Sequence, residues 1–232
     1  MGRIFITGDT HADFGKLWRL HRDHHTTYED IVIILGDSGI NYMSGNIARI
    51  TKENITRLPL TVFCIHGNHE QRPENIPTYT QEEWMGGTVY RESAYANLIF
   101  AKDGEIYYIN GHDFFVIGGA YSPDKQYRIQ HKYPWFEDEQ PSELIKKCAE
   151  EKLAKIGFKV EYVLTHTCPY SCIPFDVIGK NELYGEIDYS TEQWLQKIES
   201  KTEYEHWLCG HYHIDYNYQK VRFLFNDIVL VD

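Results

Sequence analysis

The sequence lacks the features that mark disulfide-rich, zinc-finger and membrane-spanning proteins. Its five cysteines are an odd number with no CxxC pair, which argues against a disulfide framework or a zinc finger. No apolar run approaches the ~20 residues of a transmembrane helix, and the N-terminus turns polar too early for a signal peptide. We therefore expect a cytoplasmic protein with reduced thiols and no membrane partner.

Basic residues are also scarce. Lysine and arginine total 23 against 34 acidic residues, a formal net charge of −11. Because an acidic chain repels a phosphate backbone and no basic stripe is present, long duplex nucleic acid is not an expected partner. The negative charge is still compatible with an enzyme that acts on a single phosphate group, since bound metal ions can reverse the local field. No sustained heptad pattern predicts a coiled-coil dimer, so the oligomeric state stays open.

Repeats and low-complexity tracts are absent as well, and the 232 residues favour one domain over 1–232. Short runs rich in Ile, Val and Phe predict β-strands at 3–7, 30–35, 60–65, 114–119, 161–165 and 206–210. Helical patterns lie between them at 45–58, 142–156 and 190–199. Because strand and helix alternate over much of the chain, the sequence predicts a layered α/β fold.

Three finer predictions concern single segments. The helix over 45–58 is expected to place three isoleucines near one face: Ile47, Ile50 and Ile55. Ser190 followed by Gln193 has the spacing of a capping box at a helix start. Residues 120–141 are expected to form a long loop, and long structured loops in compact domains are often functional.

Polar residues follow five of the predicted strands directly. They are Asp9 and His11, Asp37, Asn68 with His69 and Glu70, His166, and His211 with His213. Ligand sites of open α/β sheets form outside the carboxyl ends of strands, and glycines at four of these turns allow close backbone approach. Carboxylate, imidazole and amide oxygen together suit a divalent transition metal better than calcium. The surplus of ligands predicts two ions, ~3.5–4 Å apart as in hydrolytic two-metal sites.

Each of these residues has a simpler explanation when it is taken alone. Asp9 and Asp37 could cap turns, Asn68 is a common turn residue, and His166 could be a hydrogen-bonded core histidine. Together these explanations require five coincidences at five strand ends, so a shared site is the better interpretation.

The same motifs, in the same order, resemble those of the calcineurin-like metallophosphoesterases. The matching elements are Asp9-x-His11, Gly36-Asp37, Gly67-Asn68-His69-Glu70, His166 and Gly210-His211-x-His213. The resemblance implies a four-layer α/β/β/α sandwich, in which two mixed β-sheets stack face to face between helices. It also implies a dinuclear metal site at the C-terminal ends of the strands.

The resemblance assigns roles to these positions. It implies that one metal ion is held by Asp9, His11 and His213, and the other by Asn68, His166 and His211. Asp37 would bridge the two ions, and His69 would be the catalytic histidine, donating a proton to the leaving oxygen. The implied ions are two divalent metals, Mn first, with Fe or Zn as alternatives. The implied reaction is hydrolysis of a phosphate mono- or diester by metal-activated water.

The sequence departs from the protein-phosphatase branch of this family at two arginines. None follows Gly36-Asp37 closely, and His66 stands where that branch has arginine before its GNHE motif. The segment GGAYSPDKQYRIQ resembles a GGAYS-x-DK segment of small bacterial and phage-type members. We expect substrate contacts from His66 and from Tyr121, Lys125 or Arg128, and the alternative for the segment is a solvated charged loop.

Three other functions stay open. One is a protein Ser/Thr phosphatase, which the GNHE motif favours and the missing arginines weaken. Another is a phosphodiesterase acting on a cyclic nucleotide or a nucleic-acid end. The last is a scaffold that keeps the metallophosphoesterase fold without catalysis, although such scaffolds typically lose ligands that this chain retains.

Overall fold

Two mixed β-sheets form the centre of the computed structural model, which describes residues 2–179 and 186–231. The strands are β1 Ile4–Thr7, β2 Ile31–Ile34, β3 Thr61–Cys64, β4 Thr80–Trp84, β5 Gly87–Arg91, β6 Leu98–Ala101, β7 Ile106–Ile109, β8 His112–Ile117, β9 Lys159–Thr165, β10 Glu203–Cys209, β11 Tyr216–Tyr218, β12 Val221–Phe223 and β13 Ile228–Leu230. All six strands predicted from apolar runs are present, with ends shifted by at most three residues.

The strand order places parallel strands at the middle of both sheets. The first sheet runs β13-β1-β2-β3-β6-β5-β4, with β1, β2, β3 and β6 parallel. The second runs β11-β12-β10-β9-β8-β7, with β12, β10, β9 and β8 parallel. Because neighbouring parallel strands end at the same edge, the turns after β1, β2 and β3 lie side by side, as do those after β9 and β10.

The α-helices are α1 Gly15–His24, α2 Gly45–Ile55, α3 Lys125–His131, α4 Glu143–Lys155, α5 Phe175–Ile178 and α6 Ser190–Glu199, with short 3-10 helices at Pro73–Asn75 and Tyr170–Cys172. Four of these six helices, α1, α2, α4 and α6, pack on the outer faces of the two sheets. Among the described residues, no helix combines the length and the apolar character needed to cross a bilayer.

Three apolar clusters correspond to the three interfaces between these layers. The cluster between the sheets includes Ile33, while Val32 belongs to the cluster under α1 and α2. Strand β2 is thus buried on both faces, which explains its unbroken run of Ile and Val. A third cluster joins the outer face of the second sheet to α4 and α6, through Leu153 and Leu195. The predicted α/β/β/α layering with two mixed sheets is confirmed.

The prediction of a long loop over 120–141 was wrong in part, because α3 lies within it. The Arg128 guanidinium contacts the Asp124 carboxylate one turn earlier, with Nε to Oδ2 at 2.8 Å. The helix stops at Lys132, whose φ of 59° is left-handed. The sequence showed no apolar periodicity here, since none of the residues of α3 is buried.

Two further local predictions were also wrong. In α2, Ile55 is buried, but Ile47 and Ile50 are 53% and 57% exposed, because the buried side of this helix consists of Lys52 and Ile55. No capping box forms at α6. The Ser190 hydroxyl donates to Gln140 instead, and the Asp188 carboxylate accepts the Ser190 backbone N–H at 2.9 Å.

Candidate metal centre

The turns after β1, β2, β3, β9 and β10 bring all seven predicted metal ligands to one place. Hydrogen bonds tie the turns of the two sheets together. The ring Nδ1 of His166 donates to the carbonyl of Leu35, 2.8 Å away, and the backbone N–H of His211 donates to Asp9 Oδ1, 2.9 Å away. The two sheets therefore share one polar site at the C-terminal ends of their strands, as the sequence predicted.

Four of the ligand candidates have left-handed backbone conformations, which are uncommon outside glycine. Their φ angles are 45° for His11, 45° for Asp37, 66° for His211 and 53° for His213. Such conformations carry local strain and cluster at functional sites, because the surrounding structure must hold them. The turns are thus shaped to aim these side chains inward.

Two of the preceding glycines are needed for close approach. A Cβ on Gly67 would lie 2.0 Å from the Asp37 carboxylate, and a Cβ on Gly210 would lie 2.2 Å from the Asp9 carboxylate. Both distances are far shorter than a van der Waals contact. Any side chain at these positions would push a carboxylate out of the site.

The first cluster consists of Asp9, His11 and His213, whose ligand atoms lie within 4.8 Å of one another. The two imidazole Nε2 atoms are 2.8 Å apart, and Asp9 Oδ2 lies 3.1 Å from His213 Nε2 and 3.6 Å from His11 Nε2. Two ring nitrogens and a carboxylate converging on one point form a donor set suited to a divalent transition metal.

The second cluster contains acceptors that face each other. The His166 ring donates from Nδ1 to a carbonyl, so a neutral ring keeps a lone pair on Nε2. That atom lies 2.7 Å from Asn68 Oδ1, whose own amide donates from Nδ2 to Ser122 Oγ at 2.9 Å. His211 Nδ1 lies 3.1 Å from the same oxygen. A cation at this point would satisfy these acceptors, so the residues fit a metal ion.

Asp37 is buried beside both clusters. Its Oδ2 lies 3.7 Å from His166 Nε2, and its Oδ1 accepts the backbone N–H of His69 at 2.8 Å. Asp9, Asp37 and His166 also form a group whose ligand atoms lie within 4.8 Å. This position agrees with a carboxylate between two ions, and the bridging role itself stays a prediction.

Without a metal, it is unfavourable for the buried carboxyl groups of Asp9 and Asp37 to be ionised together. Burial and the neighbouring Asp9 charge raise the pKa of Asp37 well above its usual range. Burial also opposes ionisation of Asp9, but the hydrogen bond from His213 and nearby histidines bring its pKa below the usual range. Burial lowers the pKa of His211 strongly, so its ring is neutral. Because metal ligands must be deprotonated, a metal ion would bind the neutral His211 ring as it is and would favour the ionised form of Asp37.

His69 lies beside these clusters at the opening of the site. Its Nε2 faces two donors: Arg128 Nη2 at 3.3 Å and Asn68 Nδ2 at 3.2 Å. Burial, followed by the Arg128 charge, lowers the pKa of His69 to about 3. The metal-free site thus has a neutral His69 that accepts at Nε2. Proton donation by His69 stays a prediction.

The predicted substrate contacts occupy different places. Arg128 and His69 line a recess of about 280 Å³, whereas Tyr121 lines a second recess of about 330 Å³ that also reaches His69. Lys125 instead stacks on the Trp135 ring, with Nζ 4.2 Å from its centroid. His66 is 2% exposed, lines neither recess, and has no hydrogen-bond partner for its ring nitrogens among the described residues.

Several supporting residues escaped the sequence reasoning. Asp124 Oδ1 lies 4.0 Å from His69 Nε2, and the Tyr42 hydroxyl accepts from Arg128 at 3.2 Å. Lys16 donates to the carbonyls of Gly8 and Asp9, each at 2.9 Å. The four-residue spacing from Asp124 to Arg128 was a usable signal. The contacts of Asp124 with His69 and of Tyr42 with Arg128 join distant parts of the chain and leave no local signal.

Glu70 is buried and supports the turns that carry the site. Its carboxylate accepts from the Ser38 hydroxyl at 2.6 Å and from the Gly67 backbone N–H at 3.1 Å. These bonds tie the turn after β3 to the turn after β2. Burial, and then the Asp37 charge, raise the pKa of Glu70 to about 7.

Comparison with known proteins agrees with this architecture. Residues 2–215 match the family described as calcineurin-like phosphoesterase, and the chain therefore belongs to that family. Members of this family are generally hydrolytic, metal-binding phosphoesterases. No curated protein matches the chain.

Two solved structures match the chain to different degrees. One is the crystal structure of TT1561 of Thermus thermophilus, with a TM-score of 0.51, 11% identity, and coverage of 100% of this chain and 98% of that one. Another is a novel archaeal phosphodiesterase, with a TM-score of 0.32, 16% identity, and coverage of 56% and 67%. The second score is too low to support a shared fold.

Proposed function

We propose that this protein hydrolyses phosphate esters at a dinuclear centre of divalent metal ions, with Mn first and Fe or Zn as alternatives. The observation that carries the proposal is the pair of ligand clusters beside the buried Asp37. Asp9, His11 and His213 would hold one ion, and Asn68, His166 and His211 the other. When bound, such ions supply an activated water and neutralise charge on a phosphoryl group.

The chain's own residues would position the ester. Arg128 carries the only guanidinium that lines either recess at His69 among the described residues. It is held by Asp124 and Tyr42, so its fork is oriented before substrate arrives. A guanidinium can bind two phosphoryl oxygens at once. Arg128 therefore supplies, from α3, the phosphate contact that the absent arginines provide in the protein-phosphatase branch.

His69 would act on the leaving oxygen. It stands between Arg128 and the ligand Asn68, and its side chain is 18% exposed toward the opening. A phosphate drawing Arg128 toward itself would leave His69 Nε2 free to take a proton. A protonated imidazole beside the Asp124 carboxylate could then donate to the departing oxygen.

The shape of the opening favours a diester over a monoester. One recess, with Tyr42 and Arg128, and the other, with Tyr121, both reach His69. A phosphodiester has two organic substituents on phosphorus, and the two recesses offer each of them a place. A monoester would leave one recess in contact with water alone.

The test compares hydrolysis of p-nitrophenyl phosphate and bis(p-nitrophenyl) phosphate by protein loaded with Mn²⁺, with chelated protein as the control. We expect turnover of both esters, with the higher kcat/KM on the diester, and loss of activity on chelation. Hydrolysis of neither ester by protein that retains two metal ions per chain would refute the proposal and favour a scaffold.

A further inference from the structure

The larger recess contains a buried carboxyl group that the proposed chemistry does not use. Glu192, on α6, lines this recess and is 3% exposed. Its Oε1 accepts from the Thr167 hydroxyl at 2.7 Å. Its Oε2 is buried and has no hydrogen-bond partner among the described residues. A buried acceptor without a partner is unfavourable, so its presence in the residue that lines the recess calls for a donor from a ligand.

The position of Glu192 is set before any ligand binds. The Thr167 hydroxyl that donates to it also lies 3.1 Å from the Tyr212 hydroxyl, which forms part of the recess wall. Thr167 follows the predicted metal ligand His166 directly in the chain. The carboxyl is therefore held at a constant offset from the metal centre, as a group that reads one part of a substrate must be.

The walls around this carboxyl are aromatic and apolar. Tyr121, Phe175, Tyr189 and Tyr212 line the recess, and Ile173 adds an aliphatic surface. Phe175 and Tyr189 meet edge to face, with ring centroids 6.1 Å apart. The volume is about 330 Å³, near the lower end of the ~300–1,000 Å³ typical of small-molecule sites. Such walls favour a planar aromatic ring.

The geometry points to a nucleobase with an exocyclic amino group as the occupant of this recess, with the amino N–H donating to Glu192 Oε2. This inference rests on the proposed function for its role in catalysis, where the base would belong to an ester substituent of the substrate. Aromatic walls accept the ring of any base, and the carboxyl oxygen selects among bases. An amino group satisfies this acceptor, whereas a carbonyl at the same position places two acceptors together.

The inference can be tested without any hydrolysis. Two nucleoside pairs, cytidine with uridine and adenosine with inosine, exchange an amino group for a carbonyl. The neighbouring ring nitrogen changes with it, from an acceptor to an N–H donor. The binding of these nucleosides to the metal-free full chain would be measured by ligand-observed NMR titration at pH 8, above the Glu192 pKa of about 7, so that Oε2 is an acceptor. We expect the amino member of at least one pair to bind about tenfold more tightly, the effect of one hydrogen bond to a charged group.

A nearly isosteric variant then tests the assigned atom. In Glu192→Gln, the oxygen can keep the Thr167 bond while the amide nitrogen faces the ligand, so the preference should reverse or disappear. Glu199→Gln, a variant on the same helix outside the recess, should keep the wild-type preference. Absence of nucleoside binding, equal binding within both pairs, or an unchanged preference in Glu192→Gln would each overturn the inference.

The two proposals can fail separately. Discrimination of nucleosides that depends on Glu192, in a protein that hydrolyses no ester, would contradict the proposed function and leave the recess assignment standing. Ester hydrolysis without such discrimination would support the proposed function and contradict the recess assignment.

Discussion

Substitution of one predicted ligand should reduce metal binding while the protein still folds. Asn68→Ala deletes the oxygen that lies 2.7 Å from His166 Nε2 and 3.1 Å from His211 Nδ1. The cluster of Asp9, His11 and His213 stays whole. We therefore expect this variant to lose one of two bound ions and retain the other.

The magnitude follows from linkage between binding and folding. An ion at one hundred times its Kd stabilises the folded state by about 2.7 kcal/mol. For a chain of this length, each kcal/mol raises Tm by about 2–4 °C, so one ion is worth about 5–10 °C. The rise in Tm on metal binding should be the sum for two ions in the wild-type protein and about half of that sum in Asn68→Ala.

The metal-free variant should change much less. Asn68→Ala loses the hydrogen bond to Ser122, but it also removes an acceptor that faces the lone pair of His166. These effects oppose each other, so the metal-free Tm should change by less than about 4 °C, equivalent to one hydrogen bond of about 1 kcal/mol.

The assay combines thermal melts, with and without Mn²⁺, and metal content per chain by mass spectrometry. Asn217→Ala, at an exposed position in β11, is the matched control. Equal metal content and an equal Tm rise in Asn68→Ala and the control would refute the assignment of Asn68 as a ligand.

Three further predictions concern the reaction and its pH dependence. His69→Ala should keep both ions and lose about 10²–10⁴-fold in kcat, the usual contribution of a general acid or base. Arg128→Ala should lower kcat/KM about 10- to 100-fold through loss of a charge-assisted contact, with Arg128→Lys intermediate and Lys125→Ala near wild type. Burial raises the pKa of Glu192 to about 7 from its usual 4.5. Between these values the folded state holds a proton that the unfolded state releases, so stability falls as pH rises. This loss is on the order of 3 kcal/mol, and Glu192→Gln should remove it.

Each of these predictions has a direct check. For His69→Ala, retained metal with near-normal turnover would exclude a catalytic role. For Arg128, equal effects of Arg128→Ala and Lys125→Ala would show that position in α3 is unimportant. For Glu192, urea unfolding at pH 5 and pH 8 should show a smaller difference in Glu192→Gln than in wild type or Glu199→Gln. Equal differences in all three proteins would contradict the reasoning.

Much of the site was predictable because its chemistry is local in sequence. Each ligand lies in the turn after a strand, and each of these strands contains an apolar run of three or more residues. The strand pattern and the ligand motif therefore support each other. Asp37 and His166 could therefore be assigned to the C-terminal ends of the strands before any contact was known. The predictions that failed did not have two such independent signals. Helix α3 has no buried face, and Ile47 and Ile50 were judged by spacing without knowledge of what they would meet.

The sequence by itself determined the layered α/β class, the order of the strand-end motifs, and the donor types that make a metal centre chemically sensible. Only the tertiary structure decided how those motifs meet. It opposed His166 to Asn68 across the two sheets, set Arg128 rather than Lys125 beside His69, and buried Glu192 in the wall of a recess. The physical reason is that hydrogen bonds, burial and charge act through space. Residues far apart in the chain acquire these properties only when the sheets pack.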